Sequence, residues 1–355
     1  MTITPHRARV WRRRLIDRSS ATWRSRQPGK ASEGLQGGAV ILVLSIDERL
    51  LMQLGLIGLG RMGANMARRL RKGGIDVHAW NRDAGVTEKL AAETGLSAAA
   101  SLEALVASLK PPRVVWLMLP AGEVTQQHLD RLVPLLAAGD IVVDGANSWY
   151  KDSQRRGREL TAKDLQFVDA GVSGGVWGLE NGYALMLGGD AASIERLKPV
   201  IKVLAPKPDQ GWLHCGPVGA GHFVKMVHNG IEYGMMQAYA EGFALMKART
   251  DFNLDLAAVA ETWRHGSVVR SWLLDLTAEF LGRDQELKDI APLVPDSGEG
   301  RWTVLEGVEL GVPTPVMSLA LMMRFASQGK DEYGDKLLAM MRKGFGGHAI
   351  KDDKG

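Results

Sequence analysis

Met52-Gln-Leu-Gly-Leu-Ile57-Gly58-Leu-Gly60-Arg-Met-Gly63 is the stretch whose reading decides the fold. Its first six residues form an apolar run of strand length, and Gly-x-Gly-x-x-Gly follows at once. Ala64 to Lys72 then repeat apolar positions at helical spacing until Gly73-Gly74 stop them. A strand, a glycine turn and a helix in that order give the fingerprint its physical meaning. Gly58 permits the tight turn, Gly60 lets the backbone approach a pyrophosphate, and Gly63 lets helix pack close on strand. The free N–H groups and partial positive charge of the helix start then face the anion. Leu59, Arg61 and Met62 complete this turn, so Gly58 to Gly63 is expected to bind a dinucleotide.

Working outward, Asp76 to Trp80 reads as the second strand and ends in Asn81-Arg82-Asp83. An acid at that tip would accept the ribose hydroxyls of NAD, whereas an arginine suits a 2′-phosphate. With Asn81 at the tip and Arg82 next, NADP is weakly favoured over NAD. The bland reading of Arg82 is a solvated loop charge. Strands at Arg113–Leu119 and Asp140–Asp144 follow at α/β spacing. Leu119 and Asn147 fall at strand carboxyl ends, where open α/β sheets bind ligands. Asn147 could hydrogen-bond a nicotinamide ribose or a substrate. Leu165 to Ala170 reads as a further strand, followed by a loop, Gly171-Val-Ser173-Gly174-Gly175. That loop offers a hydroxyl and backbone N–H groups to a carboxylate. Tyr183 to Leu187 is one more strand.

Past Gly219 the β character fades and apolar residues recur at three and four, first in one long helix from about Gly219 to Arg249. Lys225, His228, Asn229 and Glu232 stand at i, i+3, i+4 and i+7 on it and share a face. An exposed polar stripe is the plain alternative. His-Asn-Gly is poor helix filler, however. Lys225 and Glu232 also lie roughly 10 Å apart along the axis, a separation suited to two ends of a small substrate. Helices follow at Leu254–Trp263, Val268–Phe280 and Thr314–Gln328. Asp296 to Trp302 is expected to be a flexible loop, and the glycine-rich stretch from Arg342 to His348 reads as disorder. Arg324 is an anion clamp or a snorkelling surface charge. The fold class is thus an α/β Rossmann-type dinucleotide-binding domain followed by an all-α domain built on a long central helix.

Composition bounds the rest. A chain of 355 residues with 45% hydrophobic and 24% charged residues can bury two cores. The single Cys215 excludes an internal disulfide framework and fits a reducing cytoplasm. No apolar run reaches the length of a membrane span. Ten of the 44 Lys and Arg but only four of the 40 Asp and Glu fall in residues 1–51. That segment therefore carries +6 and the remainder −2, so the main body is not expected to bind nucleic acid. Its arginines superficially suggest a transit peptide. It is expected to be disordered, or to precede a true start at Met52. The divisions expected are 1–51 as an extension, 52–218 as the dinucleotide domain, 219–340 as the helical domain and 341–355 as a tail.

With these motifs named, the chain resembles the decarboxylating 6-phosphogluconate dehydrogenases, in their short bacterial form, within the β-hydroxyacid dehydrogenase superfamily. The resemblance covers residues 52 to 348. It rests on the Gly-Leu-Gly-x-Met-Gly turn, the Asn147 turn, Val-Ser-Gly-Gly at 172–175, the Lys225 to Tyr233 stripe, Gly-Glu-Gly-Arg-Trp at 298–302 and Arg342…His348. It implies the oxidative decarboxylation of 6-phosphogluconate to ribulose 5-phosphate and CO2, in the pentose phosphate pathway, with NADP or NAD and no metal. Lys225 is carried over as the base for the 3-hydroxyl and Glu232 as the acid that protonates C1. His228, Asn229 and Asn147 would hold hydroxyls and nicotinamide, and Ser173, Gly174 and Gly175 the carboxylate end. Tyr233, Arg324, Arg342 and His348 would receive the phosphate, the last two from the tail of the partner subunit in a homodimer or a dimer of dimers. Ser297 departs from the family by standing where the long enzymes place a phosphate-binding lysine, and Arg301 is a candidate to compensate. Two alternatives stay open: a hydroxyisobutyrate-type dehydrogenase without decarboxylation, and a non-catalytic NADP-binding sensor.

Overall fold

A computed structural model describes residues 52–346 and residue 349. Residues 1–51, His348 and most of the tail after Gly346 lie outside the described residues, so the expectations for them stand as stated.

In chain order the first half holds β1 (Gln53–Ile57), α1 (Arg61–Lys72), β2 (Asp76–Trp80), α2 (Ala84–Thr94), β3 (Ser97–Ala98), α3 (Leu102–Ala107), β4 (Val114–Leu117), α4 (Glu123–Leu132), β5 (Ile141–Asp144), α5 (Tyr150–Thr161) and β6 (Gln166–Ser173). After them come α6 (Gly178–Asn181), β7 (Ala184–Gly188), α7 (Ala191–Leu204) and β8 (Trp212–Gly216). All eight strands form one sheet in the order β3-β2-β1-β4-β5-β6-β7-β8. β1 to β6 are parallel, β7 runs antiparallel to β6, and β8 runs parallel to β7. The central strands are mostly apolar, Asp144 in β5 and Asp169 in β6 apart, because helices cover both faces. Met66, Leu70, Ile194, Leu197 and Ile201 pack on one face. Leu102, Leu105, Leu129, Leu132 and Leu160 pack on the other. The strand order reverses between β1 and β4, which is where such sheets open a crevice for a ligand.

One strand is longer than its sequence pattern. β6 continues through Gly171-Val172-Ser173, a stretch expected to be loop, because Asp169 to Ser173 pair with Gly188 to Ala184 of β7. Ser173 is therefore fixed at a strand end, and the turn begins at Gly174.

The second half contains α8 (Ala220–Ala248), α9 (Leu256–Arg264), α10 (Trp272–Arg283), α11 (Glu299–Glu309), α12 (Pro315–Ala326) and α13 (Glu332–Gly346). The 29-residue α8 begins after Gly219, which has no side chain with which to cap it. Asp169, buried in β6, does so instead, accepting the N–H groups of Gly219 at 2.6 Å and His222 at 2.7 Å. The sheet thus sets both the height and the direction of the long helix. Two expectations are corrected here. The motif at 298–302 is not loop throughout, since Glu299 opens α11, whose Thr303 hydroxyl donates to the Met226 carbonyl at 2.8 Å. The stretch from Arg342 likewise is helical to Gly346, inside α13. Among the described residues no helix is long and apolar enough to cross a membrane.

Candidate active site

The glycine turn has the geometry its sequence demands. Gly58 sits at φ 93°, and a Cβ there would lie 2.4 Å from the Met118 carbonyl oxygen. A Cβ on Gly63 would lie 2.1 Å from the Gly58 carbonyl oxygen, so α1 can approach β1 only without one. A Cβ on Gly60, by contrast, would meet nothing within 4 Å. Its open side faces the free N–H groups of α1, whose first turn holds Arg61 and Met62 and no acid. This arrangement fits a pyrophosphate. The Leu119 side chain packs against the turn.

Asn81 holds the turn from the neighbouring strand: its Oδ1 accepts the Leu59 N–H at 3.0 Å, and its amide donates to the Asp83 carbonyl. The Asp83 carboxylate accepts the Gly85 N–H at 3.0 Å and so caps α2. Arg82 is exposed between them, with no hydrogen bond or ion pair among the described residues.

Asn147 stands in the left-handed region at φ 53° and bonds the Val172 backbone in both directions, accepting its N–H at 2.8 Å and donating to its carbonyl at 3.0 Å. Its amide ties the β5 loop to β6 beside Ser173. The buried Asp144–Arg156 ion pair, at 2.9 Å, braces the same loop through Ser148.

The helical stripe meets the end of β6 in a connected polar chain. Lys225 Nζ donates to Asn229 Oδ1. His228 Nδ1 lies 3.1 Å from that same oxygen and 3.8 Å from a Glu232 carboxylate oxygen, and His228 Nε2 lies 3.5 Å from Ser173 Oγ. Lys225 is only 5% exposed. Burial pushes its amine below the ordinary lysine value, and the carboxylates of Glu232 and then Glu299 pull the other way. Glu232 keeps more of its surface, and with Ser173, Gly174, Gly175, His228 and Trp272 it lines a cleft of about 760 Å³. The arrangement joins a lysine able to lose its proton to an accessible carboxyl two turns away.

Beyond Glu232, Tyr233 turns inward. Its hydroxyl accepts the Ser297 N–H at 3.2 Å and lies 3.3 Å from Ser297 Oγ. The Arg324 guanidinium stacks 3.6 Å from the centre of the Tyr233 ring and donates to the Pro295 carbonyl, so it is packed against this cluster and not snorkelling away from it. Arg301 is engaged elsewhere. It pairs with Asp296 through two bonds of 2.8 and 3.0 Å and covers the Phe325 ring. The Arg301 guanidinium holds the Asp296 carboxyl below the usual carboxylate range. Arg342 is exposed, as is every described side chain of α13. Sequence reasoning passed over Asp169 and Glu299. The signal for Asp169 was an acid inside an apolar strand; that for Glu299 emerges only from the packing of α11 on α8.

A glycine-turn sheet joined to a helix that carries a buried lysine defines a nicotinamide-dinucleotide-dependent dehydrogenase. Comparison with known proteins narrows this. The profile described as the NAD binding domain of 6-phosphogluconate dehydrogenase matches residues 53–215, and that of the 6-phosphogluconate dehydrogenase C-terminal domain matches residues 221–349. The chain belongs to the 6-phosphogluconate dehydrogenase family. A putative 6-phosphogluconate dehydrogenase of Bacillus subtilis, YqeC, is 39% identical over 300 residues, covering 84% of this chain and 99% of that one. The NAD(+)-dependent, decarboxylating enzyme of Haloferax volcanii is 43% identical over 305 residues, covering 85% of this chain and 100% of that one. The Plasmodium falciparum 6-phosphogluconate dehydrogenase structure superposes with a TM-score of 0.73 at 31% identity, over 85% of this chain and 67% of that one.

Proposed function

We propose that the protein oxidises and decarboxylates 6-phospho-D-gluconate to D-ribulose 5-phosphate and CO2 in the cytoplasm, reducing NADP or NAD, as a homodimer. The observation that carries this reading is the buried Lys225 on one helix face with Glu232, beside Ser173 and His228 at the end of β6.

The residues fit the cofactor: Gly58 to Gly63 with the start of α1 would hold the pyrophosphate, Arg82 a 2′-phosphate, and Leu119 and the Asn147 loop the nicotinamide side. When bound, the nicotinamide supplies the hydride acceptor. The chain supplies everything else. Ser173, Gly174 and Gly175 receive the substrate carboxylate. Lys225, whose ammonium form burial disfavours, takes in its neutral form the proton of the 3-hydroxyl as hydride leaves C3. The ketone so formed draws the electrons released with CO2, and the protonated Lys225 stabilises the resulting enolate oxygen. Glu232 then delivers a proton to C1. His228 and Asn229 orient the hydroxyls, and Tyr233 and Arg324 take the phosphate, joined by Arg342 and His348 of the partner subunit.

The test is reduction of NADP and of NAD, separately, at 340 nm with 6-phosphogluconate, with released CO2 captured. Reduction with matching CO2 is expected. Reduction without CO2, or only with an unphosphorylated hydroxy acid, points instead to a simple hydroxyacid dehydrogenase.

A further inference from the structure

We propose that Glu299 is a positioning residue, a buried carboxylate that faces Lys225 and holds the proton the lysine has taken from the substrate. The proposal rests on the reading of Lys225 as the base. Glu299 is the first residue of α11 and only 8% exposed, and its Oε2 has no hydrogen-bond partner among the described residues. A carboxylate removed from water and left short of donors is costly unless a cation comes to face it.

The packing of α11 says which cation. A Cβ on Gly300 would lie 2.4 Å from the Tyr233 ring, and the Thr303 hydroxyl bonds the Met226 carbonyl. The first turn of α11 therefore lies along the α8 face that carries Lys225, Asn229 and Tyr233 at i, i+4 and i+8. Two carboxylates act on Lys225, Glu232 from its own helix and more strongly, Glu299 from α11 and second. The other titratable groups near Lys225 are, on α8, His228 and the buried His222 one turn earlier, whose Nδ1 lies 2.7 Å from Ser153 Oγ, and on β6 the buried Asp169, already engaged with the N–H groups of Gly219 and His222. Beside it β6 offers Gly171 and the Ser173 hydroxyl. Glu232 must give up its own proton within the cycle. Glu299 is assigned no proton transfer, so the lysine meets the same side chain at every step. When the substrate O–H bond breaks and the Lys225 N–H bond forms, the nitrogen passes from neutral to +1. The carboxylate that was short of donors then gains a cation.

The experiment follows Lys225 itself in the full-length enzyme, labelled with 13Cε-lysine and observed by NMR, its signal assigned by its loss in Lys225→Met. In Glu299→Gln, which keeps size and removes charge, the Lys225 signal is expected to titrate at lower pH than in wild type. Glu299→Asp is expected to return it toward the wild-type position. The acid limb of kcat/KM for 6-phosphogluconate should move the same way, with KM changed by no more than about twofold. Glu299→Ala carries the same comparison if the glutamine variant does not fold. An unchanged titration on removal of the charge overturns the proposal. A shifted titration in an enzyme that does not oxidise 6-phosphogluconate leaves it standing and overturns the function proposed above.

Discussion

Gly171 of β6 lies against Lys225 of α8 so closely that a Cβ on the glycine would stand 2.4 Å from the lysine Cβ. The seat of the proposed base is thus shaped by a missing side chain on the strand below it. Gly171→Ala is expected to push α8 off the sheet, costing about 1–3 kcal/mol of stability as overpacking does. Because the displaced group is Lys225, kcat should fall more than KM rises. Thermal unfolding and steady-state kinetics of the same preparation check both, and an unperturbed kcat removes the strand from the account of the base.

Lys225→Met should abolish turnover, with a loss of roughly 10²–10⁴-fold or more if the lysine is the base. The same variant should be more stable than wild type at neutral pH. Burial holds the folded-state value of Lys225 below its unfolded value near 10.5. Between the two, the unfolded chain binds the extra proton, so wild-type stability rises with pH across that window. The penalty is full below the folded-state value and gone above the unfolded one. The stability advantage of Lys225→Met should therefore shrink as pH rises toward 10.5. Denaturant titrations at several pH values would show this, and a constant difference would mean that the lysine is not buried as described.

Glu232→Gln keeps the shape of the cleft but cannot deliver a proton. It is expected to bind NADPH as wild type does and to form ribulose 5-phosphate roughly 10²–10⁴-fold more slowly. Stopped-flow absorbance alongside product assay separates hydride transfer from protonation. Normal product formation would take Glu232 out of the mechanism.

Two inactive variants should rescue each other if tails are exchanged between subunits. Co-expressed Lys225→Met and Arg342→Ala chains would form mixed dimers in which one site combines an intact Lys225 with an intact Arg342. Activity well above that of either variant alone is expected in the purified mixed dimer. No recovery would place Arg342 outside the partner's site.

Arg82 is exposed and has no partner among the described residues, whereas the neighbouring Asp83 is occupied in capping α2. Arg82→Ala is expected to raise KM for NADP by roughly 10- to 100-fold, the worth of a lost charged hydrogen bond, and to leave KM for NAD unchanged. Equal effects on both would show that Arg82 does not read the 2′-phosphate.

The contrast between Gly58 and Glu299 shows how far local sequence reached. The glycine turn, the helix that follows it, the strands ending at Trp80 and Asp144 and the whole of α8 were legible, because each obeys a short-range rule: a required backbone angle, a repeat of two, or a repeat of 3.6. The same periodicity put Lys225, His228, Asn229 and Glu232 on one face. What only tertiary structure decided is what that face meets. Pairing with β7 turned Gly171 to Ser173 from loop into strand, and Asp169 became the cap of a helix 50 residues away. The packing of α11 buried Glu299, and Asp296 engaged Arg301 in an ion pair. Burial and charge pairing depend on residues far apart in the chain, and it is they that set whether a lysine is a solvated cation or a base.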